Sequence, residues 1–349
     1  MKKCNVNKKR KQVIVLLTVL LLVFLCTTLW YYVMIYRQSQ EPSYERTCKK
    51  ESNLTEERQM RMIQGFEKLS QMITDQIPIP GLNYTETMCW NKENLQYENV
   101  ICTSMTPQGI CIAKEYLLIS AYCHTQAHNS VIFVLDKNTG TYRKTLILDG
   151  KYHAGGLAYD TERNRVWVAL GSSLPDTIAG FSLQEMETYS QNQPISFTSK
   201  CEIPELENGS FITYDQGTLY VGQFKKNEKC PIYACKMDEN HHLISQKELK
   251  LPQKVQGIVV YGDNILLSQS YGLTKSSLIV HNYKDTVIQL DGETLAREFI
   301  MPQKMQQIYI DDNDLYVIFE SAAYAYRAQP FPKIDRVLRL RLPMILEGN

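Results

Sequence analysis

The chain has 349 residues, with 38 Lys and Arg against 37 Asp and Glu, and a formal net charge of +1. That neutrality averages two unlike parts: seven of the bases and none of the acids fall at or before Arg37, leaving 31 bases against 37 acids, a net of −6, in the rest. A mildly acidic remainder gives no electrostatic footprint for nucleic acid, and no nucleic-acid partner is expected.

Residues 1–12 form a basic tail with Lys2, Lys3, Lys8, Lys9, Arg10 and Lys11. Residues 13–35 carry no charge. At the helical rise they span about 34 Å, enough for a hydrocarbon core of about 30 Å. The basic flank predicts a cytoplasmic N-terminus and an extracytoplasmic C-terminus. Trp30, Tyr31, Tyr32 and Tyr36 gather at the far end, where amphipathic rings favour the headgroup layer. The alternative is a cleaved signal peptide, but the run is long for one and no small-x-small site follows. Leu25 before Cys26 is too bulky for bacterial lipid processing. The expectation is a single-pass cell-membrane protein with a signal anchor, whose lipid partner meets residues 13–35.

Ten cysteines divide in the same way. Cys4 is cytoplasmic and Cys26 lies in the span. Cys48, Cys89, Cys102, Cys111, Cys123, Cys201, Cys230 and Cys235 lie outside, an even count compatible with disulfides but with 105 pairings. Cys230 and Cys235 are the expected local pair. Cys111, in an apolar strand, reads as a buried thiol. A zinc site is the less favoured reading, since no Cys-x-x-Cys pair is found and the chain does not show a zinc-finger Cys-His pattern, so no metal site and no cofactor are expected.

Residues 36–95 are expected to form a linker and helical stalk. A helix is predicted over 55–76, capped by Thr55, with Glu56 and Glu57 in its first turn. Met62, Phe66, Leu69 and Ile73 make its apolar stripe, which docks on the following domain, and Pro78 and Pro80 end it.

From residue 105 onward the sequence repeats. The openings are Gln108-Gly109-Ile110, Gly155-Gly156-Leu157, Asn208-Gly209-Ser210, Gln256-Gly257-Ile258 and Gln306-Gln307-Ile308, at successive intervals of 47, 53, 48 and 50 residues. Second strands are predicted at 116–120, 165–169, 218–222, 264–268 and 314–318, after turns supplied with Asn, Asp and Gly. Third strands follow at 130–135 and 277–281, and fourth strands at 142–148 and 243–251. A period near fifty with four short strands predicts an all-β fold, a β-propeller of five four-stranded blades over 96–349. The last unit ends at 336–342 one strand short, and residues 96–105 are the expected closing strand.

The unit from Val255 to Leu278 carries Gln256-Gly257-Ile258 and then Ser270-Tyr271-Gly272-Leu273-Thr274-Lys275-Ser276-Ser277-Leu278. It resembles a blade of the plant and bacterial glutamine cyclotransferases, five-bladed propellers that convert N-terminal glutamine to pyroglutamate. More broadly the chain resembles exported bacterial propellers. In the cyclotransferases a glutamate precedes the strand-end serine and acts in proton transfer. Gln269 stands there in this chain, and a Glu-Ser pair, Glu320-Ser321, occurs one unit later.

In a propeller the loops entering the innermost strands, and those joining second to third strands, gather at one mouth. Candidate ligand-binding residues there are Gln108, Tyr122, Gln256, Gln269, Tyr271, Gln306 and Arg327. Glu320, after the apolar run 315–319, is the candidate catalytic acid–base, with His153 beside Gly155 and Gly156 as the second. A simpler role exists for the repeated glutamines, whose amides can bridge adjacent blades. No serine-hydrolase elbow, phosphate-cradling glycine loop or redox Cys-x-x-Cys is found. The expected function is ligand binding or scaffolding at the cell surface, with an extracellular peptide, glycan or envelope protein as partner. The alternative is an enzyme, cyclotransferase-like or lyase-like, with its site at the mouth.

Overall fold

The computed structural model describes residues 2–40, 60–282 and 295–347. Two compact units make up the chain, the first containing the N-terminal helix and the second the β-domain. The helix α1 (Lys2–Gln40) contains a stretch, Ile14–Val33, with a mean hydropathy of 2.5, long and apolar enough to cross a membrane.

In the β-domain, described from residue 60, a helical turn over 60–63 is followed by a short helix α2 (Glu67–Met72) that runs directly into a strand β1 (Ile73–Pro78). Thr55 and its neighbours lie outside the described residues. The expected helix over 55–76 therefore stops short: residues 64–66 break it, and 73–76 are extended. Of its expected stripe, Leu69 is buried among Phe299, Met301, Leu342 and Ile345, and Phe66 and Ile73 pack against that cluster; Ile63 and Met72, outside the stripe, are buried there in place of Met62. A hairpin, β2 (Thr85–Asn91) and β3 (Gln96–Cys102), follows as a separate two-stranded sheet.

Five four-stranded antiparallel sheets complete the domain. Blade I is β4 (Met105–Ala113), β5 (Tyr116–Cys123), β6 (Val131–Asp136) and β7 (Tyr142–Ile147). Blade II is β8 (Gly156–Asp160), β9 (Arg165–Ala169), β10 (Thr177–Ser182) and β11 (Ser199–Glu202), with α3 (Leu183–Thr188) between its last two strands. Blade III is β12 (Phe211–Asp215), β13 (Thr218–Gly222), β14 (Cys230–Met237) and β15 (Leu243–Leu251). Blade IV is β16 (Val255–Tyr261), β17 (Asn264–Gln269), β18 (Ser276–Asn282) and β19 (Leu295–Met301). Blade V is β20 (Met305–Asp311), β21 (Asp314–Phe319) and β22 (Arg336–Arg341), followed by α4 (Leu342–Glu347). The innermost strands β4, β8, β12, β16 and β20 contact one another in sequence, and β20 returns to β4. The chain is a closed five-bladed β-propeller.

The fifth blade is completed by β1, with Ile77 opposite Val337 and Pro78 opposite Arg336. This corrects the expected closing strand at 96–105, and the ring draws on residues well before the expected boundary at 96. Much of that stretch lies instead in β3, whose hairpin is fastened to blade I. There the Thr87 hydroxyl donates to the Asn129 carbonyl at 2.9 Å, and the Asn129 amide donates to the Met88 carbonyl at 2.8 Å. Pro78 fits an outer edge strand, where a missing N–H costs no ladder bond.

The inner and second strands of the blades are buried on both faces, which is why strands such as β4, β5 and β9 read as near-continuous apolar runs. On β4, Ile110 and Ile112 face the cluster shared with blade V, while Cys111 and Ala113 face the cluster shared with blade II. Five such clusters fill the five gaps between blades. Burying a single Phe, Leu or Ile contributes roughly 1.5–3 kcal/mol. Cys230 and Cys235, the expected local pair, lie five positions apart on the single strand β14 and face different clusters, so they cannot bond to each other. Cys111 is fully buried in β4, as expected of a packed thiol.

Candidate functional site

The ring is tightest where the repeat glycines stand. A Cβ on Gly109 would lie 2.9 Å from the backbone of Gly156, and one on Gly156 would lie 2.8 Å from the backbone nitrogen of Ile212. A Cβ on Gly257 would lie 2.9 Å from the Gln307 Cα. Glycine at these openings thus lets the innermost strands of neighbouring blades approach one another. Gln307 fills the axis they surround. Its Oε1 accepts from the amides of Ile110 and Leu157, both at 2.9 Å, and its Nε2 donates to the carbonyls of Leu157 at 2.7 Å and Ile212 at 2.8 Å. One fully buried side chain of blade V therefore ties blades I, II and III together, the bridging role open to the repeated glutamines.

One residue upstream of this plug, the strand entries open into a cavity of about 380 Å³. Six of the nine candidate residues line it: Gln108, Tyr122, His153, Gln256, Gln306 and Glu320. The rest of its wall is Gln126, Ser173, Asn208, Ser210, Phe224 and Tyr326. The lining is dominated by amides and hydroxyls.

Glu320 sits at the base of this wall, with only 6 % of its surface exposed. The Gln108 Nε2 donates to its Oε2 at 2.9 Å, and the Lys304 ammonium lies 3.3 Å from its Oε1. Burial pushes its carboxyl above the ordinary range, against the opposing pull of Lys304 and of hydrogen bonds from Gln108 and Tyr326. Tyr326 bridges Glu320 and Tyr122, and burial raises both phenols. Lys304 also lies 3.9 Å from the centre of the Tyr326 ring, a cation–π contact.

His153 packs on Tyr122, ring centres 4.6 Å apart, and desolvation together with nearby His124 lowers its pKa to about 4. It faces the cavity as a neutral imidazole. The glycines beside it serve the protein's own packing: a Cβ on Gly155 would meet the Ser210 carbonyl of blade III, and one on Gly171 would lie 2.7 Å from the His153 Cβ.

Gln269, Tyr271 and Arg327 are not among the lining residues. The reason for Gln269 is register. In blade IV the Ser270 amide donates to Lys254, and in blade V the Glu320 amide donates to Lys304, both at 3.0 Å. Glu320 thus corresponds to Ser270, and Gln269 corresponds to Phe319, which closes its strand in the same way. The offset of one residue turns the side chain to the other face, and Gln269 instead donates to the Gln253 carbonyl at 2.6 Å. Tyr271 lies behind the wall, stacked on Phe224 at 6.0 Å. Arg327 follows the short turn Tyr324–Tyr326, whose last residue lines the cavity.

Sequence reasoning passed over Gln126, Ser173 and Phe224, although all three lie in loops after second strands, as Tyr122 and Glu320 do. It also passed over Lys304, which stands just before the fifth innermost strand as Lys254 does before the fourth. A second group is equally hidden in the sequence. The ligand atoms of Cys102, Cys123 and His128 all lie within 4.8 Å of one another. Donation from Cys102 holds the Cys123 thiol well below its usual range and Cys102 above it.

Fold and site together define a five-bladed propeller with a closed throat and a polar axial cup. Comparison with known protein families and with curated proteins finds no match. Solved structures that it resembles share little sequence. Hydrazine synthase from Kuenenia stuttgartiensis is 8 % identical, with a TM-score of 0.36 over 73 % of this chain and 80 % of that one. A glucose dehydrogenase-type oxidoreductase from Thermus thermophilus is 10 % identical, with a TM-score of 0.41 over 77 % of this chain and 98 % of that one. The WD40 β-propeller domain of Doa1 is 11 % identical, with a TM-score of 0.32 over 62 % and 63 %.

Proposed function

We propose that this protein is a membrane-anchored, extracytoplasmic binding propeller whose axial cup takes an uncharged, hydroxyl-rich ligand, a glycan of the cell envelope. The observation that carries this reading is the cup itself: a cavity of about 380 Å³ walled by amides, hydroxyls and aromatic rings. Its one lining carboxylate among the described residues is already tied to Lys304 and Gln108. Amide side chains offer both donors and acceptors to a sugar's hydroxyls, and Tyr122 and Phe224 offer flat faces to its C–H groups. The apolar helix supports the anchoring, and the basic flank supports the orientation.

The test is calorimetric titration of the detergent-solubilised full chain with envelope glycan fragments. Saturable binding weakened at least tenfold by both Gln108→Ala and Gln306→Ala supports the proposal; binding indifferent to both variants sinks it.

A second reading, catalysis, is favoured by one observation: Glu320 is a desolvated carboxyl at the cavity with a raised pKa. A cyclotransferase-like enzyme would release ammonia from glutaminyl peptides, and Glu320→Gln would abolish that release. Ammonia release that survives Glu320→Gln would exclude this carboxyl as the catalytic group.

A further inference from the structure

We propose that Cys102, Cys123 and His128 form a binding site for a thiophilic divalent transition-metal ion, with zinc the simplest occupant. The three donors come from three places in the chain: the end of β3, the end of β5 and the loop that follows it. Their ligand atoms lie within 4.8 Å of one another, and the Cys123 Sγ is 3.5 Å from the His128 Nδ1. A tetrahedral zinc ion with bonds of about 2.3 Å to sulfur and about 2.0–2.1 Å to nitrogen holds sulfur and nitrogen about 3.5 Å apart and two sulfurs about 3.8 Å apart. The donors already stand near the edges of such a tetrahedron.

The surroundings suit an ion of this class. Both thiols are buried, so the ion would sit in a dry pocket reached past the half-exposed His128. The Ser104 hydroxyl lies 3.8 Å from the Cys102 Sγ and 3.7 Å from the Cys123 Sγ, and the Thr125 hydroxyl lies 3.1 Å from the Cys123 Sγ. Hydroxyl donors around metal-bound thiolates spread their charge and fix their orientation. Two thiolates and a neutral imidazole balance a divalent cation, and binding sends to solvent whatever protons the thiols still hold. No carboxylate belongs to the cluster, which disfavours calcium and magnesium. Three protein donors leave the fourth position for water, the arrangement of an open rather than a closed site.

The loop geometry shows how His128 is brought round. The Gln126 amide donates to the Cys123 carbonyl at 2.8 Å, and Gln126 takes a left-handed φ of 58° that turns the chain back. Gln126 is also part of the cavity wall. A bound ion therefore ties the β2–β3 hairpin to blade I and fixes one side of the axial cup.

The experiment uses the full chain in detergent, reduced and freed of metal. It is titrated with zinc and separately with cobalt, with elemental analysis, absorption spectra and thermal melting as readouts. The expected result is one ion per chain, a thiolate-to-cobalt charge-transfer band with tetrahedral d–d bands, and a melting point that rises with zinc and falls with chelator. Cys102→Ser and Cys123→Ser abolish the spectrum, whereas Cys111→Ser leaves it unchanged. Should the cysteine variants fail to fold, His128→Gln, on the loop, must weaken affinity at least tenfold. Stoichiometry well below one, a spectrum insensitive to His128→Gln, or peptide mapping that finds Cys102 and Cys123 joined as a disulfide in the native chain overturns the proposal. Glycan titration with and without zinc stands apart from this test, because metal binding is read without any cup ligand.

Discussion

Replacing Gln307 by Met tests the structure at its most connected point. Methionine has a similar length and volume, so the change leaves no large void and removes only polar partners. Four backbone groups then lose their hydrogen bonds: the amides of Ile110 and Leu157 and the carbonyls of Leu157 and Ile212. A buried polar group left unsatisfied costs roughly 1–3 kcal/mol. Four of them give a loss on the order of 4–12 kcal/mol, comparable with the whole stability of a typical domain at about 5–15 kcal/mol. Gln307→Ala should cost less, because the space it opens at a polar axis admits water to rehydrate the same groups. An ordinary apolar core site shows the reverse order, with the smaller side chain the more damaging. The assay is guanidinium unfolding of the full chain in detergent, followed by the fluorescence of the fully buried Trp167. A Met variant within about 1 kcal/mol of the parent, or an Ala variant less stable than the Met variant, would refute the plugged throat.

Three other outcomes are expected. Gly156→Ala places a Cβ 2.8 Å from backbone of blade III, and overpacking of this kind costs about 1–3 kcal/mol in a thermal melt; an unchanged melting point would mean the blades are not in contact there. His153 has a folded pKa lowered to about 4, so the unfolded chain takes up the proton first. Its contribution is full above pH 6.5 and is lost as pH falls toward 4, by at most roughly 3 kcal/mol at about 1.4 kcal/mol per pH unit. Denaturation at several pH values, comparing the parent with His153→Asn, reads this difference directly; parallel pH profiles would contradict it. Finally, Cys230 and Cys235 should resist alkylation until the chain unfolds and should never be found bonded to each other, since a mapped bond between them is incompatible with β14.

The amino-acid sequence by itself determined the apolar helix and the blades, because both rest on local signals. An uncharged run is legible without any partner. Strands such as Arg165–Ala169, Thr218–Gly222 and Leu243–Leu251 were bounded correctly by their apolar runs and turns. The mouth was legible in outline for the same reason, since propeller geometry converts a position relative to the second strand into a place in space. The tertiary structure alone decided which distant segment closes the ring. Any apolar strand of the right length can pair with β22, and the register that buries Ile77 beside Val337 is a contact between residues far apart in sequence. It also decided which side of a strand end faces the cup, where a slip of one residue separates Glu320 from Gln269. The same holds for the meeting of Cys102, Cys123 and His128, and for the four bonds of Gln307, which join four blades through one amide. Such constellations are set by strand register and blade packing, and neither has a signature in local sequence.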